Sequence, residues 1–487
     1  MRRPAHFLPP PCRDRRLNWP GSAFGVAVGL FVAIVAAASP PPASAQTSME
    51  TILTNGPISN RLNLVFLSEG YTSSQLGQFL VDATNAVNTL LSHLPWREYS
   101  SYVNAFAIKI ASAQSGSDHP RHTITNSTYF NSFYDPDWDY YITIPPDSTG
   151  QGKVDALLQP FPPQSYLAIL LVNDPKPGGS DAFGKTAIVS TSAVATEAVM
   201  GQPSILSHET AHVLANLGDE YTTPYPGFPD IEEPNTTRET NRTLIKWQAW
   251  IATNTPVPTP NNYGEDGVVG LFEGAHYHET GWYRPTYSSC VMNFLGQPFC
   301  PVCSEALVLA IYQKVRPIDS FSPASTYLLT TNTQPLSFSV NLLQPVSHSL
   351  SVQWLTNGAP YLGASNTNMT LPPQTLPFGS NWISALVTDN TPLVRTDPTA
   401  LLGQTLTWSL NVNHSQLQLD SLTRLAGGRI AFRVTGNAPQ GVVIQSSTNL
   451  LNWFRVATNA LAAGQFWHTN SGASSNSRTF YRAVTPP

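Results

Sequence analysis

Apolar residues recur along this chain with two different periods. Between residue 51 and about residue 318 the patterns are mixed. "RLNLVFLSEGY" and "SYLAILLVNDP" are short apolar runs closed by turn residues, as buried strands are. "SSQLGQFLVDATNAVNTLLSHL" spaces its apolar residues as a helix does, with Ser73 or Ser74 placed to cap it, and "SEALVLAIYQKV" predicts another helix. Together they predict an α+β unit of catalytic size over residues 46–318. After Pro317 the period falls to two. "PLSFSV", "LSVQWL", "NWISALVTD" and "TLTWSLNV" alternate apolar and polar residues between Pro, Asn and Gly turns. Four such strands predict an immunoglobulin-like β-sandwich over 319–415. A second series, from "GRIAFRV" to "TFYRAV", predicts a small C-terminal β module over 416–487.

The first 45 residues follow neither pattern. Arg2, Arg3, Arg13, Arg15 and Arg16 form a basic start, "GSAFGVAVGLFVAIVAAAS" is an apolar stretch, and Ala43-x-Ala45 offers a cleavage site after Ala45. This is the layout of an export signal, so the mature protein is expected outside the cytoplasm and free of the membrane. No other apolar run is long enough to span a bilayer. Cleavage removes 5 of 25 basic and 1 of 30 acidic residues, which leaves a net charge of about −9. An acidic chain without basic clusters argues against nucleic acid as a partner. Cys12 leaves with the signal, and Cys290, Cys300 and Cys303 remain. For an exported protein they predict one structural bridge, from Cys290 to one member of the Cys300-Pro-Val-Cys303 pair, and one leftover thiol.

The chemistry concentrates in "SHETAHVLANLGDEY", Ser207 to Tyr221. A helix advances about 100° and about 1.5 Å per residue, so His208 and His212 lie one turn apart on one face and can reach one ion. Glu209 stands beside them, placed to take a proton from an attacking water. The spacing is that of zinc peptidases, with the glutamate as general base. Ile205, Leu206, Val213, Leu214 and Leu217 would bury the same helix whether or not it binds metal.

A third protein ligand is needed. On a straight helix Asp219 would lie about 10.5 Å beyond His212 along the axis, too far for a shared ion. The helix must therefore stop and fold back, and Asn216 and Gly218 are the residues that tolerate a left-handed stop. Asp219 is the expected ligand, with Glu220 or His276 as the alternatives and His278 as a further candidate. Glu232 and Glu233 stand where a thermolysin-type ligand would, but "PGFPDIEEPN" cannot form the helix such a site uses.

This site, with "LVFLSEGYT", "SAQSGSDHP", "GLFEGAHYHETGWYRP" and "CVMNFLGQPFCPVCSEAL", resembles the IgA-peptidase family of zinc metallopeptidases over about residues 50–315. The resemblance implies a metzincin-like fold whose His-Glu-x-x-His helix ends in an Asp-Glu-Tyr segment, here Asp219, Glu220 and Tyr221. It departs from the usual metzincin spacing, with Ala215 and Gly218 at the expected Gly and ligand positions. By the same resemblance Met292 matches a Met-turn or fills core, and Tyr283 or Tyr287 donates to the oxyanion. Glu220 would orient an imidazole by accepting its N–H. By metzincin analogy "SYLAILLVND" would be the edge strand along which an extended peptide lies. The expected protein is a secreted zinc endopeptidase acting on protein or peptide. The alternatives are a non-catalytic surface protein binding glycan or a host protein, and a zinc amidase acting on cell wall.

Overall fold

The computed structural model describes residues 47–162, 165–225, 227–264, 266–331, 333–364, 366–413, 417–436, 438, 441–461, 464–470 and 478–486. The expected export segment and the junction expected at 415–416 lie outside the described residues. The chain divides into two compact units.

The first unit runs to Arg316 and also takes in Leu343–Ser349 and Asn390–Leu402. It is therefore built from three separate stretches of chain. In chain order its elements are β1 (Ser48–Leu53), β2 (Leu62–Glu69), α1 (Leu76–Ser92), β3 (Val103–Lys109), β4 (Phe133–Tyr134), β5 (Ile142–Thr143), α2 (Gln151–Leu157), β6 (Tyr166–Val172), β7 (Gly179–Ala182), β8 (Thr186–Ser190), α3 (Thr191–Met200), α4 (Ile205–Ala215), β9 (Phe272–Ala275), β10 (His278–Arg284) and α5 (Pro301–Lys314).

Six strands form one sheet in the order β1-β3-β2-β6-β8-β7. The inner strands β3, β2, β6 and β8 are parallel, and β1 and β7 run antiparallel at the two edges. Leu62, Leu64 and Phe66 of β2 pack into a core with α1, α3, α4 and α5, while Val65 and Leu67 pack on the opposite face against residues around 130–161. Burial on both faces is why these strands read as unbroken apolar runs. It also places "SYLAILLVND" differently from expectation. β6 lies between β2 and β8, and the edge next to α4 belongs to the four-residue β7. In the 3-10 turn Ser73–Gln75 that leads into α1, the capping pair is Thr72 and Gln75 rather than Ser73 or Ser74: the Thr72 N–H donates to the Gln75 side-chain oxygen at 2.9 Å.

The second unit holds strands and no α-helix among the described residues. A three-stranded sheet (Ile318–Ser322, Leu336–Leu342, Asn368–Leu371) and a five-stranded sheet share one core around Trp354, Ile383 and Trp408. The longest strands of the larger sheet are Gly379–Thr388 and Gly403–Val412, paired along their whole length. Two further three-stranded sheets between Gln418 and Val484 enclose a small core at Phe432, Val434 and Ile444. Among the described residues no helix is long and apolar enough to cross a membrane.

Candidate active site

Helix α4 carries His208, Glu209 and His212 and stops at Ala215. Asn216 takes the left-handed conformation, φ 50°, and its N–H closes on the His212 carbonyl. Gly218 serves the fold-back differently from expectation. Its φ is not positive; a Cβ there would come within 2.6 Å of the Glu233 carboxylate. Asn235 then holds the returning chain, accepting from the Gly218 N–H at 2.7 Å and donating to the Gly218 carbonyl at 2.8 Å.

The fold-back brings Asp219 to the histidines. The Nε2 atoms of His208 and His212 are 2.9 Å apart, and Asp219 Oδ1 lies 3.1 and 3.4 Å from them. Apart from the histidines, Oδ1 has no hydrogen-bond partner among the described residues although it is buried. The far side of each group is tied down. His208 Nδ1 donates to the Val291 carbonyl at 3.1 Å, and His212 Nδ1 donates to the Leu217 carbonyl at 2.6 Å. Tyr277 donates its hydroxyl to Asp219 Oδ2. Two ring nitrogens and one carboxylate oxygen thus converge, which is the donor set of a three-ligand metal site with one position left open.

The charges of the site act strongly on one another. Burial would raise the Asp219 carboxyl, but His212 and His208 hold it well below the usual carboxylate range. Burial works against a charged His212, and Asp219 more than offsets it, so that imidazole is held well above its ordinary value. Burial pushes Glu209 well up, with Asp181 and Asp219 adding to the effect against His212. Glu209 shares a narrow cleft with Tyr140, Gly179, Ile205, His208, Tyr221 and Leu295. Gly179, first residue of the edge strand, leaves no room for a side chain: a Cβ would meet Ile205 Cγ2 at 2.4 Å and Glu209 Oε1 at 2.8 Å.

The hairpin β9–β10 closes the site from the other side. His276 and Tyr277 form its two-residue turn, with φ of 52° and 59°, a conformation that normally selects Asn-Gly. The strained turn is held by the fold-back itself, since the His276 N–H donates to the Asp219 carbonyl and the Tyr277 N–H to that of Tyr221.

Several expected roles fall elsewhere. Glu220 orients no imidazole, because two main-chain carbonyls do that. Its carboxylate accepts from Asn235 Nδ2 at 3.0 Å and faces the cysteines. His276 bonds the Pro229 carbonyl and pairs with Glu233, and His278 stacks on Trp282, so neither joins His208 and His212. Tyr283 pairs through its main chain with Thr237, and Tyr287 is 41% exposed against Phe272. The site's tyrosines are Tyr140, Tyr221 and Tyr277. Met292 is fully buried, and its carbonyl accepts from the Glu220 N–H at 3.0 Å. The turn containing Met292 therefore underlies the site through its main chain. No disulfide joins Cys290, Cys300 and Cys303; all three thiols are free and buried.

A family model described as IgA Peptidase M64 matches residues 51–267 and 262–311, more than half of the chain. The chain belongs to the IgA peptidase M64 family. It is accordingly a peptidase, with protein or peptide as substrate, and the family is a metal-dependent one. No curated protein matches the chain. Among solved structures, one titled as a chaperone–tip adhesin complex of CFA/I fimbriae biogenesis is 12% identical and covers 34% of this chain and 92% of its own, at a TM-score of 0.13. A β-glucuronidase 3 of Bacteroides uniformis is 14% identical over 39% of this chain and 27% of its own, with TM-score 0.14. Dimeric latent PorU of Porphyromonas gingivalis is also 14% identical, over 39% and 20%, with TM-score 0.15. Likeness this slight bears on neither fold nor function.

Proposed function

We propose that this M64 peptidase is a secreted zinc endopeptidase with a metzincin-like catalytic unit. The observation that carries the reading is the convergence of His208 Nε2, His212 Nε2 and Asp219 Oδ1 beside the buried Glu209 carboxylate. His208, His212 and Asp219 would hold zinc, which when bound supplies Lewis acidity and lowers the pKa of water toward about 7.

The chain's own residues do the rest. Glu209 accepts the proton of the attacking water and passes it to the leaving amine. Burial, by raising its pKa, suits it to hold that proton between the two transfers. Tyr140 and Tyr221 line the same cleft and are better placed than Tyr283 or Tyr287 to donate to the scissile carbonyl oxygen. An extended peptide would enter the narrow cleft beside Gly179, whose N–H already donates to the Tyr140 carbonyl. Export follows from the layout of residues 1–45, and the β unit after Arg316, with its immunoglobulin-like strand pattern, would serve location or substrate capture.

The test is Glu209→Gln assayed on a mixed protein library with products read by mass spectrometry. Zinc content should stay at the wild-type level while peptide-bond cleavage falls by about 10²–10⁴-fold or more. Activity within about tenfold of wild type would remove Glu209 as the base. Release of wall fragments instead of peptides would make the protein an amidase.

A further inference from the structure

We propose that Cys290, Cys300, Cys303 and Glu220 hold a second, structural zinc ion. One donor atom from each lies within 4.8 Å of all the others. Cys290 Sγ is 3.6 Å from Cys303 Sγ, and Cys303 Sγ is 3.6 Å from Glu220 Oε1. Four ligands placed tetrahedrally at zinc–sulfur distance stand about 3.8 Å apart, so the cluster needs only small adjustments to close on an ion.

The local structure also suits a metal. Cys300 and Cys303 are spaced C-x2-C at the start of the 14-residue helix α5, where Cys300 is the N-cap and its sulfur accepts the Cys303 N–H at 3.4 Å. The helix N-terminus favours thiolate. All four side chains are buried. Glu220 Oε2, in a fully buried residue, has no hydrogen-bond partner among the described residues. Arg284 is the cation that acts on Glu220, but its guanidinium hydrogen bonds go to the carbonyls of Glu273, Thr286 and Tyr287. A buried carboxylate with one oxygen beside a thiol and the other unpaired lacks a cation. Three sulfurs and one oxygen in a buried four-ligand set select zinc in a structural role. A disulfide between two of the cysteines would leave the third thiol over and the Glu220 charge without a cation.

Such an ion would join three segments that shape the peptidase site. Glu220 follows Asp219 directly, Cys290 precedes Val291 whose carbonyl holds His208, and Cys300 and Cys303 anchor both to α5.

The full chain from residue 46 onward, purified without reductant, should carry about two zinc ions, and the His208→Ala/His212→Ala variant about one. Refilled with cobalt(II), that double variant should show thiolate-to-cobalt charge-transfer absorption. Adding Cys300→Ser and Cys303→Ser should abolish the absorption. Alkylation of the protein unfolded in chelator should modify Cys290, Cys300 and Cys303 alike. Two bonded cysteines with one alkylated would overturn the proposal, as would a His208→Ala/His212→Ala variant that folds without metal. Because the double variant lacks the histidine pair, its result stands whether or not the catalytic reading does.

Discussion

The side chain of Asn235 hydrogen-bonds both the N–H and the carbonyl of Gly218, and its amide also reaches Glu220. One buried carboxamide thus fixes the path of the chain immediately before Asp219. Asn235→Ala would free that segment and leave a buried peptide unit unpaired. It should cost about 1–3 kcal/mol of stability. Zinc affinity at the histidine site should fall by about 10–100-fold, the scale for groups that orient ligands. Competition with a chromophoric chelator reads the affinity, and unchanged binding would show that the fold-back holds without the clamp.

Tyr277 should matter more than the tyrosines nearer Met292 in sequence. Its hydroxyl donates to Asp219 Oδ2, opposite the oxygen that faces the histidines. Tyr277→Phe is expected to weaken zinc binding by about 10–100-fold. Tyr283→Phe and Tyr287→Phe should leave binding and kcat near wild type, since neither side chain is placed at the site. A large loss of kcat in Tyr287→Phe with intact zinc would restore its oxyanion role.

Gly179 tests the approach of the edge strand to the base. An added methyl must displace Ile205 Cγ2 or Glu209, both closer than a real Cβ allows. Gly179→Ala should destabilise by about 1–3 kcal/mol, the usual penalty of overpacking. Because both crowded groups adjoin the base and neither is a proposed ligand, kcat should fall while zinc occupancy holds. Wild-type kcat in this variant would mean that β7 shifts freely and does not position the base.

The parts of this site that could be read from sequence are those made by neighbours along the chain. His208, Glu209 and His212 share one helical turn, and simple helix geometry already demanded a stop before Asp219. Asn216 supplies that stop with its left-handed φ. What stayed hidden is tertiary. Asn235 is 17 residues from Gly218 and Tyr277 is 58 from Asp219, and no spacing rule joins them. In "EGAHYHETGWYRP" the histidines drew attention, while the tyrosine between them makes the contact. The edge strand was hidden for a related reason. A long apolar run marks burial on both faces, so "SYLAILLVND" belonged in the sheet's middle, whereas the edge next to α4 is only "GSDA". Exported-protein logic predicted a disulfide where the fold gathers three thiols around a carboxylate.

Stability should also carry a pH signature from Glu197, which sits beneath α4. Its carboxylate accepts from the Ser207 N–H and hydroxyl, and His93 Nε2 is 3.5 Å away. Burial raises its pKa from 4.5 to about 7 despite those hydrogen bonds. A carboxyl with a raised folded pKa stabilises fully below its unfolded value, and that contribution is lost as pH climbs through the folded one. From 4.5 to about 7, at about 1.4 kcal/mol per pKa unit, the loss approaches about 3 kcal/mol by pH 8. Burial lowers His93 below its usual value, with Arg97 adding to the effect, so its contribution runs the opposite way and is lost as pH falls below about 6.5. Glu197→Gln isolates the carboxyl. Its amide oxygen can accept from the Ser207 N–H while its NH₂ donates to the Ser207 hydroxyl, so the fold keeps its contacts without the titration. Denaturant unfolding of both proteins should therefore show the variant gaining on wild type between pH 5 and pH 8. A difference that stays flat across that range would mean that Glu197 titrates alike in the folded and unfolded chains.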